Sequence, residues 1–291
     1  MKGSKKAYLY LIITFILWGS LYVVSKKVLG ELPAFTISMI RFAIAFAVLG
    51  LLGRKKRVKI ERQDYKYVAA IGVVGYFVAV GAQLLGTKYA GASMASLLNS
   101  LNPVTMSVFA AIFLKEKLTL QKIAGMILAL IGVYIVLGGG NDAYSIPGIL
   151  FSAVAVLAWS AISILVRKLT QKYPSLLVTR YGIGVAVFCY LPLSIWELVT
   201  HTQAVHLDMS GIVELVYMGA ICTGVAYLLW NKSLEELPAG ICSAFYPIQP
   251  LVSTLCGILF LRERITAAFV LGAACIVAGL WVSLINKKQR A

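Results

Sequence analysis

Stretches of about 20 mostly apolar residues recur along the whole chain. A helix of that length crosses a hydrocarbon core about 30 Å thick, because each residue adds about 1.5 Å of rise. Hydrophobic residues make up 60% of the chain and charged residues only 13%, which leaves too little polar surface for a water-soluble domain. The sequence therefore predicts an all-α membrane protein with ten transmembrane helices, at about 7–28, 33–53, 67–87, 92–114, 120–138, 147–167, 175–197, 211–231, 239–261 and 267–285.

The second half of the chain repeats the first. The segment SLNPVTMSVFAAIFLKEKLT and the later segment PIQPLVSTLCGILFLRERIT align without a gap. Their prolines, Pro103 and Pro250, are 147 residues apart (250 minus 103). Nearer the start of each half, Trp18 aligns with Trp159 at a spacing of 141 (159 minus 18). We infer that predicted spans one to five correspond to spans six to ten.

Five spans in each half decide the geometry, because equivalent spans then cross the bilayer in opposite directions. We expect one five-helix repeat in residues 1–138, a loop at 139–147 and a second repeat in 148–291, together one membrane domain. Inverted repeats of this kind are typical of secondary transporters, which bind their solute near the midplane between the repeats. A structural duplication without transport remains the alternative.

The net charge of +16 follows the pattern expected of a membrane protein. If the first of ten spans starts inside, most of the 27 Lys and Arg residues lie on the cytoplasmic side, with both termini. The basic segment RKKRVKIER at 54–62 then lies beside anionic lipid headgroups. The expected partners are the lipid bilayer and a small-molecule substrate, and no nucleic acid.

The turns that close the two aligned segments carry a repeated Glu, Glu116 or Glu263. Thr119 and Thr266 follow these glutamates and are placed to cap the next helix, the usual work of Thr at such a position. We interpret both turns as structural.

These features together resemble a known family. Trp-Gly-Ser in span one, Arg-Phe at 41–42 in span two, and FLKEKLT or FLRERIT closing spans four and nine are similar to EamA-type members of the drug/metabolite transporter superfamily. The resemblance covers essentially the whole chain. It implies export of amino acids or related small metabolites through a bacterial cell membrane. It also implies a central cavity between helices three, four, eight and nine.

Prolines near the middle of spans four and nine predict kinks or hinges. Pro103, Pro250 and Pro247 each remove a backbone N–H and leave an earlier carbonyl without its helical partner, which is costly in hydrocarbon unless it faces protein or a wet cavity. Polar side chains lie on both sides of these prolines at helical spacing. They predict two walls of a cavity, or else interhelical bonds that hold helices together: Ser96, Asn99, Asn102, Ser243, Tyr246, Gln249 and Ser253.

Aromatic residues at similar depth are further candidates for binding an organic solute, with ordinary packing as the alternative: Trp18, Tyr22, Tyr76, Trp159 and Tyr227. Gln83 and Trp230 align by the repeat and are expected along an access route. Arg41 lies within span two, where a charge is expensive and marks a functional candidate. It attracts a substrate carboxylate or bonds helix-end carbonyls, and the sequence leaves both open.

The acidic residues fall near span ends or in loops. This disfavours a cation-for-proton exchanger that uses a mid-membrane Glu, although a proton-coupled drug exporter remains an alternative. The other alternative is an antiporter of anionic metabolites of the nucleotide-sugar or sugar-phosphate type, which needs several deep cations. Here Arg41 qualifies, with Lys27 as a possible second.

No cofactor, metal site or enzymatic activity is predicted. The five cysteines are dispersed in apolar spans without ligand spacing, and His201 and His206 lie in a loop. Small residues on spans five and ten suit close helix packing, within a monomer or in a homodimer, and the sequence leaves the two open: Gly125, Ala129, Gly132, Ala268, Gly272 and Gly279.

Overall fold

A computed structural model describes residues 5–53, 59–114, 119–138, 145–200, 207–237, 239–243, 245–263 and 265–284. Over these ranges the regular structure is helical, and they contain no β-strand. Some sequence predictions lie outside the described residues: those on Glu116, on most of the loop at 139–147, and on the loop that carries His201 and His206.

The helices follow the apolar segments of the sequence. Their bounds are α1 Lys5–Val28, α2 Ala34–Leu52, α3 Arg62–Ala90, α4 Ala92–Asn99, α5 Asn102–Leu114, α6 Leu120–Gly138, α7 Ile146–Thr170, α8 Ser175–Thr200, α9 Met209–Glu236, α10 Ala239–Ser243, α11 Ile248–Leu261 and α12 Ala267–Leu284. Two of the long helices contain a nine-residue π-helical segment, Ile71–Ala79 in α3 and Tyr217–Val225 in α9.

Seven helical segments in the described part of the chain are long and apolar enough to cross a membrane. They are α1, α2, α3, α7, α8, α9 and the run Ile241–Leu261, which joins α10 to α11. Shorter apolar helices cover Ile123–Val136 and Ala267–Gly279. Large apolar side chains such as Leu255 and Leu259 are exposed on the outside, which suits contact with lipid rather than water. The chain is a multi-pass helical membrane protein.

The three prolines predicted as hinges lie at the starts of helices, where the helical runs are interrupted, and Pro250 is the third residue of α11. Pro103 is the second residue of α5, and Pro247 immediately precedes α11. A proline in a first turn removes an N–H that has no helical partner there, so the cost expected from a mid-helix proline is avoided. The carbonyl of Asn99, which we expected to be left free, accepts the side-chain amide of Asn102 at 2.7 Å.

Small residues bring α6 and α12 into close antiparallel contact. A Cβ built on Gly272 would lie 2.5 Å from the carbonyl oxygen of Gly132. A Cβ on Gly279 would lie 2.5 Å from the carbonyl oxygen of Gly125. These glycines therefore pack within one chain, which is one of the two arrangements that the sequence leaves open.

An ionic cluster ties the start of α3 to the turn between α7 and α8. Lys172 contacts Glu61 and Asp64, each at 2.7 Å. The Tyr173 hydroxyl donates to Asp64 at 2.7 Å. Hydrogen bonds to the two carboxylates raise the pKa of Lys172, and the bonds from Lys172 and Gln63 lower the pKa of Glu61. The cluster fixes one end of the bundle.

Candidate functional site: a cavity among the central helices

A cavity lies among α1, α3, α4, α7, α9 and α11, and its empty space, counted together with the adjoining open solvent, is about 350 Å³. The polar and aromatic side chains that line it are all residues predicted from the sequence: Trp18, Gln83, Asn99, Trp159, Tyr227 and Gln249. Leu21, Ala79 and Ala155 complete the lining. That these residues bind a solute remains a prediction.

Three aromatic rings form one wall of the cavity. The ring centroids of Trp18 lie 5.6 Å from Trp159 and 5.5 Å from Tyr227, both nearly perpendicular. Trp159 and Tyr227 are 5.5 Å apart. Both indole N–H groups point away into bonds, from Trp18 to the carbonyl of Cys222 at 3.2 Å and from Trp159 to the Tyr246 hydroxyl at 2.8 Å. The indoles therefore offer ring surface to the cavity.

Amide side chains form a directional chain of hydrogen bonds on the opposite wall. The Ser160 hydroxyl donates to Asn102 Oδ1 at 2.8 Å, and Asn102 Nδ2 donates to Asn99 Oδ1 at 2.8 Å. Asn99 Nδ2 then donates to Gln249 Oε1 at 3.3 Å. Because each amide accepts on its oxygen, the chain ends on Gln249, whose Nε2 group donates to no other residue in the described ranges and lies at the cavity.

Five of the predicted site residues are not on the lining, namely Arg41, described below, and four uncharged side chains. Asn102 is fully buried in the amide chain, and Tyr22 is buried with its hydroxyl unpartnered among the described residues. The Tyr76 hydroxyl accepts from Asn231 at 3.0 Å, while its ring lies 5.1 Å from Tyr227. Tyr246 is also fully buried. These residues support the lining.

Tyr246 belongs to an aromatic layer that closes one end of the cavity. Its ring centroid is 4.7 Å from Phe15 and 5.8 Å from Trp230, and its hydroxyl accepts from Trp159. Phe15 precedes Trp18 by one helical turn, so the layer lies toward the start of α1. Trp230, expected on an access route, is instead 1% exposed within this layer.

Arg41 is buried away from the cavity lining, with 1% of its surface exposed. Its Nε donates to the Thr223 hydroxyl at 2.9 Å, and its guanidinium lies 5.6 Å from the ring centroid of Phe42. Thr223 donates in turn to the carbonyl of Met218 at 2.7 Å, across the π-helical segment of α9. The Nη2 atom has no hydrogen-bond partner within the described ranges. This is the geometry of a cation that joins α2 to α9.

Glu263 has a role that the sequence analysis missed. Its carboxylate accepts from the backbone N–H groups of Ala92 at 3.1 Å and Ser93 at 3.3 Å, and from the Ser93 hydroxyl. It therefore caps the start of α4, where Gly91 has a φ of 86°. The repeated Glu was the available signal, but nothing in the turn itself indicates a partner 171 residues away. The predicted cap at Thr266 is confirmed, because its hydroxyl accepts from the N–H of Phe269 at 3.1 Å.

Comparisons with known proteins agree with this architecture. The model of the EamA-like transporter family matches residues 5–138 and again 146–285. An uncharacterized transporter of Archaeoglobus fulgidus is 29% identical over 95% of this chain and 98% of its own length. A probable amino-acid metabolite efflux pump of Salmonella typhimurium is 24% identical over 99% of this chain and 97% of its own. One crystal structure superposes with a TM-score of 0.71 at 24% identity, covering 95% of each chain. With both matches together spanning nearly the whole sequence, the chain belongs to the EamA-like transporter family.

Proposed function

We propose that this chain is a secondary transporter that exports small uncharged or zwitterionic metabolites by alternating access at the central cavity, with amino acids the first class to test. The observation that carries the proposal is the cavity, enclosed by helices from both halves of a membrane transporter and lined by amides and aromatic rings. The name of the Salmonella relative supports amino acids as the starting point.

The proposal includes ten crossings built as two inverted repeats, residues 1–138 and 148–291. Support comes from contacts that map onto each other under the repeat. Gly132 meets Gly272 in the same way that Gly279 meets Gly125, and each contact is the repeat equivalent of the other. The π-helical segments of α3 and α9 also occupy equivalent positions.

Alternating access is supported by the different positions that repeat-equivalent residues of the two halves occupy relative to the cavity. Gln83 and Asn99 line the cavity, whereas their equivalents 147 residues later, Trp230 and Tyr246, lie in the closing aromatic layer. In an inverted repeat, equivalent positions lie on opposite sides of the midplane. Rocking one half against the other would therefore open the aromatic layer and close the amide-lined side. The contact between Phe15 in the first half and Tyr246 in the second would separate during that step.

We further propose a bacterial cell-membrane location with both termini in the cytoplasm, on the charge distribution alone. A cysteine-free variant carrying Met209→Cys, at the exposed first residue of α9, should react with an impermeant thiol reagent in intact cells. The same variant with Gln171→Cys instead should react only after permeabilisation. The opposite pattern would reverse the orientation.

Antiport of anionic metabolites is the second candidate, favoured by one observation: Arg41 is buried without an acidic partner in the described part of the chain. Two observations argue against antiport of anionic metabolites. Arg41 does not line the cavity, and Lys27 pairs with Glu214 near the end of α1.

Transport by purified protein in liposomes tests the proposed function directly. Vesicles loaded with one unlabelled solute are diluted into the labelled solute, and counterflow is followed without ATP. Accumulation of amino acids or uncharged metabolites, absent from protein-free vesicles, is the expected result. Accumulation restricted to phosphorylated sugars would support the second candidate, and accumulation of no solute would contradict transport.

A further inference from the structure

The cavity contains no formal charge. Its polar lining consists of three amides and one phenol, and none of its lining residues is Asp, Glu, Lys, Arg or His. A solute that enters with a carboxylate or an ammonium must therefore give up hydration without meeting an opposite charge in the lining itself, which is costly in a largely apolar site. An uncharged solute avoids this cost.

The amides fix which hydrogen bonds the cavity offers. The Ser160–Asn102–Asn99 chain ends on Gln249 Oε1, so Gln249 presents Nε2 donors and favours a carbonyl or ring nitrogen on the solute. The Gln83 side chain lines the cavity beside the Tyr22 hydroxyl, and its amide carries both donors and an acceptor. A solute that carries a hydrogen-bond acceptor next to an N–H donor can bond to both Gln249 and Gln83.

The aromatic wall fixes the shape. The indole N–H groups of Trp18 and Trp159 are already bonded, so these residues contact a solute through ring carbons. The Tyr227 ring centroid lies 5.5 Å from the Trp18 ring centroid, at an interplanar angle of 86°, and 5.5 Å from the Trp159 ring centroid, at 53°. Flat π-systems pack well in offset or edge-to-face contact with such rings.

We propose that the cavity accepts an uncharged, planar heterocycle that carries a carbonyl next to a ring N–H, the chemistry of a nucleobase. This inference rests on the proposed function, since it specifies the solute of the same cavity. The amide edge of such a ring bonds to Gln249 and Gln83, and its faces pack on the aromatic wall. Zwitterionic amino acids are the competing class, because an ammonium group also binds aromatic faces.

Binding to the purified full chain in detergent tests the inference without requiring transport. The probes are uracil and hypoxanthine, against orotate, which adds a carboxylate to the uracil ring, and L-phenylalanine. The shift in melting temperature with concentration gives apparent affinities. We expect uracil or hypoxanthine to bind at least about tenfold more tightly than orotate and L-phenylalanine, because the latter bury unpaired charge.

Variants with matched chemistry locate the binding. Gln249→Met keeps the side-chain length but removes the donors, and it should weaken nucleobase binding about tenfold. Gln171→Met makes the same change at an exposed position outside the cavity, where Gln171 bonds to the carbonyl of Glu235, and it should leave binding unchanged. Equal effects of the two variants, or no effect of either, would overturn the placement in this cavity.

The outcomes separate the two proposals. Nucleobase binding without counterflow would leave this inference intact and contradict transport. Counterflow of L-amino acids that uracil and hypoxanthine do not inhibit would support transport and overturn the nucleobase inference. Stronger binding of orotate than of uracil would also overturn it, because it would require a cation at the site.

Discussion

Replacing Asn102 by Leu should destabilise the protein far more than replacing Gln249, on the cavity wall, by Met. Leu has nearly the branched shape of Asn, so packing is largely kept while three hydrogen bonds are lost. The carbonyl of Asn99 is then left without its partner at the break between α4 and α5. The Ser160 hydroxyl keeps a bond to the backbone carbonyl of residue 102 at 3.3 Å.

The magnitude follows from those losses. A buried carbonyl left unsatisfied costs about 1–3 kcal/mol, and an interhelical bond in a membrane protein contributes about 0.6 kcal/mol. The expected sum is about 1.6–3.6 kcal/mol, which corresponds to a melting temperature roughly 3–14 °C lower, taking about 2–4 °C per kcal/mol. Gln249→Met removes only the 3.3 Å bond from Asn99, and water in the cavity can replace that partner. Its melting temperature should fall by about 2 °C or less.

The assay is thermal unfolding of both variants in the same detergent, together with the binding measurement. Asn102→Leu should be less stable with its solute preference retained, and Gln249→Met should be nearly as stable as the parent with altered binding. If Asn102→Leu melts within about 1 °C of the parent, the amide chain does not support the fold. If Gln249→Met loses as much stability as Asn102→Leu, Gln249 is an interhelical bond and not a cavity wall.

Three further predictions concern the supports of the fold. Gly272→Ala places a methyl group against a backbone carbonyl of α6 and should cost about 1–3 kcal/mol by thermal unfolding, whereas Ala274→Val on the exposed face should be neutral. Glu263→Gln keeps an acceptor but removes the negative charge at the start of α4, so it should cost about 0.3–1 kcal/mol, with Glu263→Ala worse. Arg41→Lys loses the bond to Thr223 and should lower stability without changing solute preference, as measured by competition binding; a changed preference would return Arg41 to the binding site.

The positions of the unbroken helices could be predicted from the sequence because they depend on local composition, whereas the spans expected at 92–114 and 239–261 are each divided into two helices. A span expected at 7–28 is found at Lys5–Val28, and one expected at 147–167 is found at Ile146–Thr170. An apolar run in a membrane has few alternatives to a helix, since every backbone polar group must be satisfied internally. The length of the apolar run then determines the length of the helix.

Orientation around the breaks could not be predicted in the same way. Asn99 and Asn102 share one helical stripe in the sequence, yet only Asn99 lines the cavity, because the helix is interrupted at Ser100–Leu101. A spacing of three or four residues predicts a common face only while one helix continues. Tyr246 was likewise expected on a wall and is instead buried against Trp159, because α10 ends before it and α11 begins after it.

The sequence repeat predicts the helix contacts of the fold better than it predicts the residues of the site. The contact between α2 and α9, compared with its repeat equivalent between α3 and α8, shows why. Arg41 on α2 bonds to Thr223 on α9, and the equivalent crossing places Gly182 on α8 against Tyr76 on α3. A Cβ on Gly182 would lie 2.8 Å from the Tyr76 ring, so the large and small partners have exchanged places between the halves. The exchange conserves the contact between the helices but not its chemistry. The α2–α9 contact buries the Arg41 cation, whereas the α3–α8 contact places the Tyr76 ring 5.1 Å from Tyr227. A fold needs only the sum of the two volumes to be kept, whereas a site depends on which helix carries the polar group. Aligned positions therefore predict where helices meet, and the positions where the halves differ determine what the cavity can bind.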